Sequence, residues 1–178
     1  MYYKHLNFKV NFLLKNEEVL QGASHHCKLS ILELNPEFIK LVESKNLSIG
    51  SIEIFKLEPS IKKWPIHVDG PVLSDFPKMN FVFGNKESPM IWYRVKDNID
   101  KVPVTTSTNT PYLDYIDDEV EEIDRCLIKN ASIIQAGIPH TVLHVGNETR
   151  WVVTIVFLRV FKTLTFDELV DTFKEFVD

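Results

Sequence analysis

The sequence predicts a mainly β fold, a sandwich or jelly roll of short strands with peripheral α-helices, and three observations carry that expectation. Short runs rich in β-branched and aromatic residues recur along the chain and are separated by Gly, Pro, Asn and Ser. Only two stretches combine helical spacing with capping residues. The regular alternation of strand and helix that a parallel α/β sheet needs is missing.

The elements follow in order. "YKHLNFKVNFLL" mixes alternating apolar residues with β-formers, so the N-terminus reads as extended. Asn35 to Asn46 opens with an N-cap and a proline in the first turn, and Phe38, Ile39, Leu41 and Val42 recur at helical spacing, so this helix is expected to lie on a sheet. "SIGSIEIFKL" returns to strand, and the loop "EPSIKKWP" delivers His67. "KMNFVFGN", "MIWYRV", "CLIKNASIIQAG", "HTVLHV" and "TRWVVTIVFLRVF" continue the strand series. Seven acidic residues between Asp114 and Asp124 read as a solvated loop or edge strand. Thr165 with Glu168 three residues on has capping-box spacing, which starts a terminal amphipathic helix over 165–177.

Composition excludes several classes. A chain of 178 residues with 44% hydrophobic content buries about two thirds of its unfolded surface, so one domain over 1–178 is expected. Net charge is −5, and no Lys/Arg block exceeds two residues, which argues against nucleic acid as a partner. "WVVTIVFL" is far shorter than the roughly 20 residues of a membrane span, and "MYYKHLNFKV" lacks an apolar signal core. Two cysteines, Cys27 and Cys126, without C-x-x-C spacing fit a reducing compartment. Together these predict a soluble, cytoplasmic protein with no membrane partner.

The candidate chemistry starts at "WPIHVDG", Trp64 to Gly70. Six His and eleven Asp in 178 residues give about 0.4 His-x-Asp pairs by chance, so the tripeptide needs a third ligand. In a strand, residues i and i+2 share a face, so His67 and Asp69 can converge on one ion while Val68 turns away. Two His and one carboxylate leave three positions open on iron(II), as a chelating cosubstrate and dioxygen require. His140, after the Gly-Ile-Pro bend of "AGIPH", is the preferred third ligand, with His144 as the local rival. A three-residue turn at Gly146 to Glu148 would make "HTVLHVGNETRWVVTIVF" a hairpin, in which His140 faces Thr154, His144 faces Arg150, and all four share one side. Arg150 opens the most apolar strand in the chain, and a buried arginine needs an anion such as a dicarboxylate; its alternative is surface pairing with Glu148.

With these residues in place the chain resembles the iron(II)/2-oxoglutarate-dependent oxygenases, most of all the aspartyl/asparaginyl β-hydroxylase branch. The resemblance rests on a Trp-Pro step before the proximal His, the His-x-Asp pair, a distal "PH" and an arginine ten positions later, and it spans about residues 52–158. It implies a double-stranded β-helix, a cupin-like jelly roll, with the N-terminal 1–51 and the helix 165–177 as additions. It implies His67, Asp69 and His140 as ligands of Fe(2+), and Arg150 as the residue that binds the far carboxylate of 2-oxoglutarate. Thr154, on the Arg150 face, is the preferred second cosubstrate contact; Lys56 is either a further contact or a surface lysine. Trp64, Trp92 and Tyr93 are available to line a substrate pocket, and Asn80 is a polar position on an apolar strand that orients substrate or caps backbone. The implied reaction is hydroxylation of a C–H bond in a peptide side chain or small molecule, with release of succinate and CO2. Two alternatives stand beside it. A non-catalytic cupin-like binding module needs no Arg150, and a zinc hydrolase needs a general base that neither half of the site offers nearby.

Overall fold

A computed structural model of the chain describes residues 1–8, 12–106 and 109–178. The chain is mainly β, with two antiparallel sheets and few helices. Strands β1 (Tyr3–Leu6), β2 (His26–Lys28), β3 (Ser48–Leu57), β5 (Pro77–Gly84), β10 (Ala131–Gln135), β12 (Arg150–Arg159) and β13 (Lys162–Thr163) form the larger sheet. Its order is β1-β10-β5-β12-β3-β2, with β13 paired to β12. Strands β4 (Ile66–Val68), β6 (Pro89–Val95), β7 (Val104–Thr105), β8 (Pro111–Tyr115), β9 (Val120–Leu127) and β11 (His140–Val142) form the smaller sheet, ordered β7-β8-β4-β11-β6-β9.

Alternation along the strands divides the larger sheet into two faces. On β12, Val153, Ile155 and Phe157 join a large apolar cluster that also holds Ile52 and Ile54 of β3, Met79, Phe81 and Phe83 of β5, and Ile133 of β10. The other face of the same strands looks toward the smaller sheet. Val82, Val152 and Ile134 there pack with Met90 and Trp92 of β6.

Helices close the outer face. In α2 (Pro36–Ser44) the Asn35 side chain accepts from the Glu37 N–H, Pro36 presets the first turn, and Phe38 and Val42, four apart, are buried. Burying Phe38, which is 0% exposed, stabilises by roughly 2–3 kcal/mol. The helix ends two residues before the expected Asn46, whose φ of 55° turns the chain toward β3. In α3 (Phe166–Thr172) the Thr165–Glu168 capping box is present, and Leu169 and Phe173 reach the same cluster. This helix stops short of the expected 177. A 3-10 turn over Lys174–Phe176 follows, because the Asn7 N–H bonds the Phe176 carbonyl and Leu6 bridges Val177, docking the end beside β1. A further short helix, α1 (Glu18–Gln21), buries Leu20 in the same cluster.

Two strand expectations are corrected. "CLIKNASIIQAG" is not one run: β9 ends at Leu127 in the smaller sheet and β10 starts at Ala131 in the larger one. The expected hairpin of "HTVLHV" with "TRWVV" does not form. β11 pairs with β4 and β6, whereas β12 pairs with β3 and β5. The backbone N–H groups of Leu143 and His144 bond the carbonyls of Pro89 and Lys62, so the chain is still tied to the smaller sheet there before it crosses. The acidic stretch contributes a 3-10 turn and the edge strand β9, where Glu121 and Glu122 pair with Arg94 and Arg125.

Candidate metal centre

Strands β4 and β11 are neighbours, and the register sets His140 directly opposite His67. Their ring centroids are 4.4 Å apart. Each ring places Nδ1 2.9 Å from a backbone carbonyl two residues earlier, Pro65 for His67 and Ile138 for His140. A carbonyl only accepts, so each Nδ1 carries the proton and each Nε2 presents a lone pair. Both Nε2 atoms face Asp69: His67 lies 3.4 Å from Oδ1 and His140 lies 3.9 Å from Oδ2. One ligand atom from each of the three residues lies within 4.8 Å of the others, compact enough for a single ion. Asp69 is steadied by its own N–H, which donates to the Ala136 carbonyl at 2.9 Å.

The bend before His140 depends on Gly137. A Cβ there would lie 2.1 Å from the Ser74 carbonyl oxygen and 2.9 Å from the Phe76 Cβ. Backbone bonds lock the same contact, Gly137 N–H to Phe76 and Ser74 N–H to Gly137. The segment 136–139 is therefore pressed against 74–76, and His140 leaves it already aimed at His67.

Electrostatics favour metal binding. Burial, then the neighbouring His67, holds the His140 pKa down at about 4, so the ring is neutral at ordinary pH. For Asp69 burial raises the pKa, but the Lys78 ammonium beside it outweighs that and holds the carboxyl well below its usual value. Lys78 is 3.1 Å from Asp69 Oδ2 and 3.4 Å from Glu53 Oε2. Burial lowers the lysine pKa, and the two carboxylates more than restore it. Glu53 in turn lies 3.6 Å from His26 Nε2.

A cavity partly open to solvent runs from this group between the sheets. The smaller sheet contributes His140, Val142 and Met90; the larger one contributes Phe55, Asn80, Arg150, Val152 and Thr154. Arg150 is 2% exposed and donates through its two terminal nitrogens to the backbone carbonyls of Asn85 and Ile128. No carboxylate among the described residues pairs with it, and its Nε has no partner. Burial alone pulls its pKa down to about 10. Asn80 Oδ1 and Thr154 Oγ1 are also buried without partners, and the two residues stand opposite each other in the β5–β12 register. Gly84, the register partner of Arg150, sits at φ +69°, and a Cβ there would lie 2.3 Å from the Thr149 carbonyl oxygen and 2.9 Å from the Trp151 ring.

The structure thus brings His67, Asp69, His140, Arg150, Thr154, Asn80 and Trp64 to one cavity. Arg150 and Thr154 share a face, but they meet His140 across the gap between the sheets and not on one hairpin. Lys56 lies elsewhere. It is in phase with Ile52 and Ile54, whose side chains face the outer cluster, and it pairs with Glu58 at 2.8 Å. Trp92 is fully buried in the core, its Nε1 donating to the Gln135 carbonyl and its ring stacked on Tyr3. Tyr93, one residue on, points to the opposite side and packs with Ile66 and Leu113. Neither borders the cavity. His144 turns its Nε2 to the Glu148 carbonyl at 2.9 Å. Sequence reading missed Glu53, Lys78 and His26. Their signal was parity: Lys78 shares a face with Asn80, and Glu53 with Phe55, so two charges were in phase with inward positions.

The donor set of two imidazole nitrogens and one carboxylate suits a divalent metal of the first transition row. The unpartnered Arg150 Nε and Thr154 Oγ1 suit an anionic ligand beside it, whereas the unpartnered Asn80 Oδ1 can only accept, from a ligand N–H or O–H. Among the described residues no helix is long and apolar enough to cross a membrane.

No family model and no curated protein matches the chain. Among solved structures it is similar to an oxalate oxidase in complex with the substrate analogue glycolate, at 15% identity and a TM-score of 0.35, over 78% of this chain and 57% of that one. It is also similar to E. coli ycfD, at 17% identity and a TM-score of 0.33, over 60% of this chain and 25% of that one. A further oxalate oxidase structure matches at 13% identity and a TM-score of 0.33, over 86% and 68%. The chain spans little more than half the length of the first of these and a quarter of the second.

Proposed function

We propose that this chain is an iron(II)- and 2-oxoglutarate-dependent oxygenase that hydroxylates a C–H bond of a peptide side chain or small molecule, releasing succinate and CO2. Its fold is read as a double-stranded β-helix. Supporting that reading, strands β3, β12, β5 and β10 lie side by side in one sheet, and β4, β11, β6 and β9 lie side by side in the other.

The observation that carries the proposal is Arg150. An arginine buried without a carboxylate loses hydration that its two backbone carbonyl partners return only in part, and here it lines the same cavity as the His-Asp-His group. A dicarboxylate that chelates a metal at one end places its other carboxylate within reach of the guanidinium fork, which matches it with two parallel hydrogen bonds. A cupin-like binding module has no use for such an anchor.

In this reading His67, Asp69 and His140 hold the iron, which when bound supplies the oxidative chemistry. Arg150 holds the cosubstrate by its far end, and Thr154 and Asn80 offer the polar atoms that lack partners. Phe55, Val142, Met90 and Val152 keep water from the bound acid. The substrate approaches through a second cavity beside the metal group, lined by Tyr112, Pro111, His26 and Lys78 and sharing Phe55, Trp64, His67 and Asp69 with the first.

Anaerobic addition of iron(II) and 2-oxoglutarate tests this directly. A visible charge-transfer band from the chelate, followed by succinate on admission of air, is the expected result. Iron binding without any response to 2-oxoglutarate would sink the oxygenase reading and leave the binding module.

A further inference from the structure

Lys78 is 4% exposed, and its ammonium lies between two carboxylates, Asp69 Oδ2 at 3.1 Å and Glu53 Oε2 at 3.4 Å. The rings of Phe55 and Phe76 each stand 5.9 Å from the same nitrogen. Glu53 is itself 4% exposed and is backed by His26 at 3.6 Å. The lysine is therefore fixed on every side by groups that belong to the larger sheet or its flank, and from there it reaches across to a residue of the metal group.

A carboxylate can ligate a metal through one oxygen or through two. Where two histidines and a one-oxygen carboxylate bind, three of six positions stay open; two-oxygen ligation leaves two. We infer that Lys78 is a positioning residue that holds Asp69 to one-oxygen ligation: it occupies Oδ2 at 3.1 Å, where His140 Nε2 stands farther off at 3.9 Å, and leaves Oδ1, 3.4 Å from His67 Nε2, for the metal. The inference rests on the metal site proposed above. It adds the reason that such a site keeps room for both a two-oxygen chelate and a third ligand. Charge points the same way. Asp69, Glu53 and Lys78 together carry one negative charge, so the lysine removes the excess that would draw both Asp69 oxygens onto a cation.

The test uses cobalt(II) alone and then oxalate, a two-oxygen chelate with no need of Arg150. Wild type, Lys78→Met and the double variant Lys78→Met/Glu53→Gln are titrated with cobalt while visible absorption is followed, and each cobalt-loaded protein is then titrated with oxalate. Methionine keeps the side chain out to Cε without the ammonium. The double variant removes the carboxylate left unpaired, so the test survives if Lys78→Met alone does not fold. The expected result is a split: cobalt affinity is kept or rises in the variants, while oxalate affinity falls about tenfold or more. Unchanged oxalate affinity on a cobalt-loaded variant overturns the inference. A parallel fall of both affinities also overturns it, since that is the mark of a lysine that merely supports the fold. Failure of the wild type to bind cobalt overturns the metal site itself, a different outcome from either.

Discussion

Arg150 and His140 line one cavity from opposite sheets, although only ten residues separate them in the chain. The crossing between them is held by Asn85 and Ser88. Asn85 donates from its side chain to the Val145 carbonyl at 2.6 Å, Ser88 Oγ accepts from the Val145 N–H, and the Asn85 carbonyl accepts from Arg150. The separation of His140 and Arg150 is thus set by how the sheets pack and not by the pitch of one strand.

Arg150 should discriminate between chelates. Arg150→Lys keeps charge but loses the fork and is expected to weaken 2-oxoglutarate binding by about tenfold, and Arg150→Ala by about a hundredfold, while iron affinity stays the same. A 2-oxo acid without the second carboxylate should bind wild type and variants alike. Titration of both acids at saturating iron checks this, and equal losses for the two acids would contradict the anchor role.

The metal-free protein should lose stability on mild acidification. His140 binds its proton at about 4 when folded and near 6.5 when unfolded, so between these values the unfolded chain binds more protons. The penalty is absent above pH 6.5, grows as pH falls, and reaches about 3 kcal/mol near pH 4. Asp69, whose folded pKa is depressed, adds a further loss below its ordinary value of 3.8. Urea unfolding at pH 7.5, 5.5 and 4.5 reads the first window, and replacing His140 with Gln should flatten it.

Gly137→Ala should damage both fold and site. The added methyl meets a carbonyl oxygen at 2.1 Å, so the 74–76 segment or the bend before His140 must move. A destabilisation of about 2–4 kcal/mol is expected, with weaker metal binding in whatever remains folded. Thermal unfolding combined with a cobalt titration measures both.

Lys56→Ala should do little. Its ion pair with Glu58 is on the surface and its side chain is on the far side of the sheet from the cavity, so stability should change by less than about 0.5 kcal/mol. Affinity for 2-oxoglutarate should be unchanged; a tenfold loss would place Lys56 in the cosubstrate site after all.

The mainly β character and both helix starts were legible because they depend on neighbours in sequence: alternation, turn residues and caps. The bounds of β3 match the run "SIGSIEIFKL", and Asn35 and Thr165 both cap as their spacing suggests. His67 and Asp69 could be set on one side by parity alone. The partner of each strand was not legible. The segment after His140 has the turn residues of a hairpin, yet it crosses between sheets, since competing backbone partners at Pro89 and Lys62 lie far away in sequence. Trp92 and Tyr93 were placed near the site for their aromatic character, whereas register and phase decide that one is tied to Gln135 and the other faces away. Lys78 and Glu53 escaped notice because a charge on an apolar strand is read singly, and their meaning arises only when β3, β5 and the loop after β4 meet.

The two faces of β12 divide labour between anchoring and chemistry. Val153, Ile155 and Phe157 bind the strand to the helices and the outer cluster, while Arg150, Val152 and Thr154, alternating with them, look into the cavity. Variation at Thr154 can therefore change what the cavity accepts while the outer face and Val152 keep the strand packed. A lineage descending from such a scaffold is free to explore new ligands one alternate position at a time, since the residues that would report a folding failure are the ones in between.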